Sequence, residues 1–141
     1  MVFEIVGDAL VLKVPPTKAS YQFVARYGEQ FPCCVTAVFS PTQALVAREA
    51  GARYVAVYVN RATRQMGNGL QLVQDVAKIL KDSETEILAA SIKSTNEACA
   101  SIYAGAHHLT LPYQILTELM TNSLSEQAIA DFLSNGIGVG M

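Results

Sequence analysis

One lysine interrupts an aliphatic run that stops at two prolines, Leu10-Val11-Leu12-Lys13-Val14-Pro15-Pro16. The run reads as a buried strand, and burial disfavours the charged form of an amine. A neutral lysine in such a place is a nucleophile suited to carbonyl carbon, which is what Schiff-base chemistry requires. The competing reading is a stem that lies along the strand and delivers its ammonium to solvent. Three more groups of polar residues stand at or just after other apolar runs: Thr36, the cluster Tyr58, Asn60 and Arg61, and the pair Ser91 and Lys93. Strand alternation predicts Tyr58 and Asn60 on one side of their strand, and Ser91 and Lys93 on one side of theirs. Arg61, Ser91 and Lys93 together would supply two cations and a hydroxyl to an anion. Taken singly, each also fits a solvated charge at a strand end.

These residues need elements to position them. Leu10–Val14, Cys33–Val38, Tyr54–Val59, Ile87–Ile92 and Leu109–Leu111 read as strands, short and apolar, with amphipathic segments between. Ser40 as N-cap, Pro41 at the first helical position and Gln43 at the capping-box position open a helix over Pro41–Ala50, closed by Gly51. The apolar spacing from Leu70 to Leu80 predicts a helix over Gly69–Lys81, and Ser94 with Glu97 caps another that ends at Gly105. Two more are expected around Gln114–Thr121 and Glu126–Leu133. Strand and helix alternating this often predict an α/β fold with a parallel sheet. Function then belongs at the C-terminal ends of the strands, whether the sheet is open or closed into a barrel. The first residues depart from the pattern, because only Gly7-Asp8-Ala9 separates Val2–Val6 from Leu10. That is too short for a parallel crossover, so residues 1–9 read as a hairpin strand, one bent strand with the next run, or an arm.

Composition narrows the class. The chain has 141 residues, 51% of them hydrophobic, and a formal charge of −2 with cations scattered along it. This size and polarity fit one domain with a sizeable core, and show neither a nucleic-acid footprint nor a membrane-binding face. No apolar stretch reaches membrane-span length and no secretory leader is visible, so a cytoplasmic protein is expected. Cys33, Cys34 and Cys99 lack redox or zinc spacing and read as buried structural thiols. Neighbouring His107 and His108 would point to opposite faces of a strand, a poor arrangement for chelating one metal. Gly67-Asn68-Gly69 reads as a turn opening the next helix rather than a phosphate cradle.

The segments VLKVPPT, VTAVFSPTQALVAREAGARYVAVYVNR, ILAASIKS and HLTLP resemble, in order and spacing, the fructose-6-phosphate aldolase branch of the transaldolase family. The resemblance runs from about Leu10 to the C-terminus. It implies a TIM-barrel fold, with Lys13 as the Schiff-base lysine and Thr36 lining the site. It also implies Tyr58 as the acid/base acting through a water, where transaldolases proper usually carry phenylalanine. Arg61, Ser91 and Lys93 match the positions that hold the sugar phosphate, with Asn60 beside them. The implied activity is metal-free and cofactor-free class I aldol chemistry, such as cleavage of fructose 6-phosphate to dihydroxyacetone and glyceraldehyde 3-phosphate.

A complete (β/α)8 barrel needs roughly 250 residues. The matched part corresponds to the lysine-bearing strand and the four after it, so a partial TIM barrel of roughly the last five βα units is expected. The family's first-strand aspartate and second-strand asparagine have no counterpart, and Glu4 is at most a stand-in for a third-strand residue. Such a sheet leaves two open edges and an uncovered half-core, which predicts a homo-oligomer. The alternative function is a catalytically inactive half-barrel that binds or assembles and keeps an anion site.

Overall fold

The structure is a computed structural model and describes residues 9–136. The expected Val2–Val6 strand lies outside the described residues. Five strands lie side by side in chain order: β1 (Leu12–Val14), β2 (Cys33–Val38), β3 (Tyr54–Tyr58), β4 (Glu86–Ala90) and β5 (His108–Leu109). Every neighbouring pair is parallel. Helix α1 (Lys18–Tyr27) follows β1, α2 (Pro41–Glu49) follows β2, and α3 (Val59–Met66) and α4 (Gly69–Ile79) both follow β3. After β4 comes α5 (Thr95–Tyr103), and after β5 come α6 (Tyr113–Leu119) and α7 (Ser123–Ser134).

The strand order never reverses. A doubly wound sheet reverses its order once and so places helices on both faces. With one sense of crossover and no reversal, the connecting helices fall on one face, as in a sector of a TIM barrel. Burial shows the division: Cys33, Val35, Val55, Val57, Ile87 and Ala89, which alternate along β2, β3 and β4, are fully buried under the helices. On the opposite face Thr36, Tyr54, Tyr58 and Leu88 are half-exposed and Lys13 is exposed. Among the described residues the chain is therefore a partial α/β barrel whose inner face is partly exposed, with Cys34, Ala56 and Ala90 buried between the half-exposed side chains.

The burial expected for Lys13 is not found. Among the described residues β1 is an edge strand three residues long, paired with β2 alone, and Lys13 on its inner side is exposed. Cys33 and Cys34 are buried as expected, but Cys99 is exposed, because α5 turns it away from the sheet. Tyr58 and Asn60 do not share a strand: β3 ends at Tyr58 and α3 starts at Val59. Likewise β4 ends at Ala90, so Ser91 and Lys93 belong to the loop after it.

Local capping explains the helix starts. Ser40 Oγ accepts from the Gln43 N–H, while the Gln43 side chain accepts from Phe39 N–H at 2.8 Å, one residue earlier than the capping box predicts. Ser94 Oγ accepts from Glu97 N–H, and Asn68 Oδ1 accepts from Gln71 N–H after Gly67 ends α3 with φ +92°. A bulge between Val35 and Val38, with Ala37 at φ +55°, moves Val38 back to the buried face just beyond Thr36. Helix α7 is different from the rest: none of its residues is buried, and Leu124, Ile129, Phe132 and Leu133 stand exposed.

Gly69 fixes how α3 meets α4. A Cβ there would lie 2.0 Å from the Val59 carbonyl oxygen, and Gly69 N–H also donates to Thr63 Oγ1, which itself donates to Val59 O. The contact sits one residue after Tyr58. Gly69→Ala should therefore lower stability by about 1–3 kcal/mol, the usual range for overpacking. A urea midpoint equal to that of the parent would contradict this.

Candidate active site

The C-terminal ends of β1, β3, β4 and β5 surround a cavity of about 330 Å³ lined by Lys13, Tyr58, Arg61, Ser91 and Lys93, among others. A second cavity of about 340 Å³ runs along the inner face below it, past Val11, Cys34, Tyr54, Leu88 and His108. Lys13 lines both. The trough is mainly apolar, whereas the mouth gathers the hydroxyls and cations, so the mouth is the place where polar chemistry can be done.

Tyr58 is held from three sides. Thr36 Oγ1 donates to its phenol oxygen at 3.4 Å, the Phe39 ring meets it edge-on at 5.7 Å, and the Arg61 guanidinium carbon lies 4.8 Å from its ring centre. The ring is thus oriented at the wall of the mouth, which Tyr58 lines. Thr36 lies next to the β2 bulge, which is why a strand with alternating burial can turn this hydroxyl towards the neighbouring strand. Lys13 pairs with Cys34 in the sheet register. Burial pushes the Cys34 thiol up from its ordinary value, against the opposing pull of the Lys13 charge and with a smaller push from Cys33.

Ser91, the first residue after β4, has φ +60°, in the left-handed region. For a residue with a side chain this costs about 1–3 kcal/mol, and such strain is held in place by its surroundings. Here the Ser91 carbonyl accepts from Asn60 N–H at 3.3 Å. Glu97 completes the clasp, its two oxygens accepting from Asn60 Nδ2 at 2.9 Å and Lys93 N–H at 2.8 Å. One carboxylate therefore ties the start of α3 to the loop after β4. Asn60 is not among the residues that line the mouth: the helix that begins at Val59 turns its amide onto Glu97, which ties it to the loop. Lys13, Thr36, Tyr58, Arg61, Ser91 and Lys93 are brought together, with Thr36 behind Tyr58. Sequence reasoning saw Glu97 only as a cap, since its partner Asn60 is distant along the chain. It also missed Arg64, which lines the mouth and stands three residues after Arg61 on α3.

Among the described residues no group of three or more His, Cys, Asp or Glu side chains is placed to hold a metal ion. None of their helices is long and apolar enough to cross a membrane. His107 and His108 are each engaged singly: His107 Nδ1 accepts from Ile87 N–H, and His108 Nε2 lies 3.0 Å from Glu86 Oε2.

An unreversed parallel sheet with its polar groups collected at the C-terminal strand ends defines a barrel-type α/β protein with a small-ligand site. The sequence pattern of the family described as Transaldolase/Fructose-6-phosphate aldolase matches residues 2–137, and the chain belongs to that family. A probable transaldolase of Geobacillus kaustophilus (strain HTA426) is 36% identical over 92% of this chain and 62% of its own length. One from Alkaliphilus metalliredigens (strain QYMF) is 38% identical over 92% and 62%, and one from Caulobacter sp. (strain K31) 34% over 96% and 64%. The chain thus spans a little under two thirds of these curated relatives. A crystal structure of a mandelate oxidase variant with 2-hydroxy-phenylacetamide superposes with TM-score 0.52 at 20% identity, covering 64% of this chain and 28% of that one. At that identity the likeness concerns the fold alone.

Glu86, at the end of the sheet opposite the mouth, is held below the ordinary carboxylate value, chiefly by the hydrogen bond from His108 and also by the nearby Arg53 charge. A depressed folded-state value means that the pair stabilises the fold above the unfolded value, and that this is lost as pH falls through the folded one. Glu86→Gln should melt below the parent at pH 7, with the gap closing as pH drops below about 4.3. Thermal melts from pH 7 to 3 that keep a constant gap would refute the assignment.

Proposed function

We propose that the chain is the lysine-bearing part of a class I aldolase or transaldolase-like enzyme acting on sugar phosphates, fructose 6-phosphate being the reference substrate. The observation that carries this reading is the joint lining of one cavity by an amine, a phenol and an anion-holding set, Lys13, Tyr58, Arg61, Ser91 and Lys93. Membership of the family supports it independently.

In the cycle, Lys13 Nζ adds to the ketose carbonyl, and loss of water gives a protonated imine. The hydroxyl at the fourth carbon gives up its proton, the bond between the third and fourth carbons breaks, and the aldehyde leaves. The electron pair stays on the lysine side as an enamine. Protonation of the enamine at carbon and hydrolysis release dihydroxyacetone and free the amine. Tyr58, acting through a water, moves the protons, and Thr36 and the Arg61 guanidinium fix its orientation. Arg61, Ser91 and Lys93 hold the phosphate and contribute binding away from the reacting carbon.

The partly exposed inner face and the exposed apolar side of α7 support self-association as part of this function. Covering that face would surround Lys13 with protein in place of water. Sedimentation at micromolar concentration should show a dimer or larger species, and a monodisperse monomer would overturn this part.

The central test is intact-mass spectrometry after incubation with dihydroxyacetone and sodium borohydride. A reduced adduct is expected in the parent and absent in Lys13→Ala. Tyr58→Phe should keep the adduct while slowing aldol turnover by about 10²-fold, the lower range for a lost acid/base group. No adduct in the parent would favour a non-catalytic protein that keeps the anion site.

A further inference from the structure

The mouth carries more positive charge than one phosphate needs. Lys13, Arg61, Arg64 and Lys93 all line it, and no carboxylate does. Glu97, the nearest acid along the loop after β4, is turned away to Asn60 and the Lys93 backbone. Among the described residues neither Arg64 nor the Lys93 ammonium has a carboxylate partner. Arg61 and Arg64 are separated by three positions on α3 and therefore share a helix face, with about 5–6 Å between their Cβ atoms. That spacing suits two neighbouring anionic groups. Arg61 already lies beside the Tyr58 ring, whereas Arg64 has no such ring contact among the described residues and also lines the mouth.

We infer that Arg64 is a specificity-determining residue for a second anionic group. The preferred ligand on this account is a sugar whose phosphate-bearing end carries another phosphate or a carboxylate. Arg61, Ser91 and Lys93 take the first group, and Arg64 takes the second. A planar guanidinium forms paired charge-assisted bonds to such groups, so the effect depends on arginine and not on charge alone. The inference rests on the sugar-phosphate reading of the mouth but not on Schiff-base turnover, since anion binding needs no reaction at Lys13.

Calorimetric titration with inorganic phosphate and inorganic pyrophosphate at one fixed ionic strength tests it. The parent should prefer pyrophosphate, and Arg64→Gln should lower the pyrophosphate-to-phosphate affinity ratio about tenfold, the loss of roughly one charge-assisted bond. Arg64→Lys should restore the ratio only in part. Arg26→Gln, which removes a distant charge on α1, should leave it in place. A ratio unchanged in Arg64→Gln, or one that falls equally in Arg26→Gln, overturns the inference. If the borohydride adduct forms and the ratio does not respond, the second-anion assignment falls and the aldolase reading stands; a responsive ratio without an adduct reverses that outcome.

Discussion

The constraint on which the rest depends is the unreversed order of the five parallel strands. Because each crossover repeats the same step, the connecting helices pack on one face, and a continuous core forms there from Val35, Val57, Ile87, Val73 and Val76. The same rule empties the other face and points every strand's C-terminal end at one mouth. Core and site are thus two results of one topological fact. The helices make the sheet rigid enough to hold its exposed ends in place, and the mouth inherits that rigidity wherever a strand is followed directly by a packed helix.

Within the mouth, the Glu97 clasp turns that general arrangement into a particular one. β3 passes into α3 without a linker, so Tyr58, Asn60 and Arg61 leave the sheet in fixed directions. β4 instead ends in a loop, and Ser91 sits there in a left-handed conformation that a free serine would abandon. The carboxylate between Asn60 and Lys93 N–H, together with the backbone bond from Asn60 to Ser91, holds this loop against α3. The polar wall of the mouth is consequently defined by two elements that belong to the well-packed half of the sheet.

Much of this was legible in the sequence where local rules decide. The β2 strand matches its expected span residue for residue, and the Ser40 and Ser94 caps start their helices as read, because capping depends on residues three positions apart. The polar groups at strand ends were visible as interruptions of apolar runs. What was not legible depends on neighbours distant along the chain. An apolar run around Lys13 looks the same whether its strand is central or at an edge, and only the sheet order reveals which. Asn60 was read with strand periodicity one residue past the point where the backbone turned helical. Its amide was then taken up by Glu97, a partner 37 residues away. Arg64 was overlooked because it looks like an ordinary helix-end cation until the wall it stands on is known to face the mouth.

The site has two halves with different physical footing. Arg61, Arg64, Ser91 and Lys93 stand on α3 and the loop after β4, both anchored by the buried core, so the anion site proposed for them would depend on parts that the structure already packs. Lys13 stands on a strand that has one neighbour among the described residues, and its side chain is exposed. Carbon chemistry at its amine depends on fixing reactants to within about half an ångström and on keeping water out, and both are weakest at an uncovered edge. On the proposed reading, holding a phosphate and activating a carbonyl are therefore separable in this fold. The first would draw on the packed sheet, and the second on whatever closes the inner face over β1.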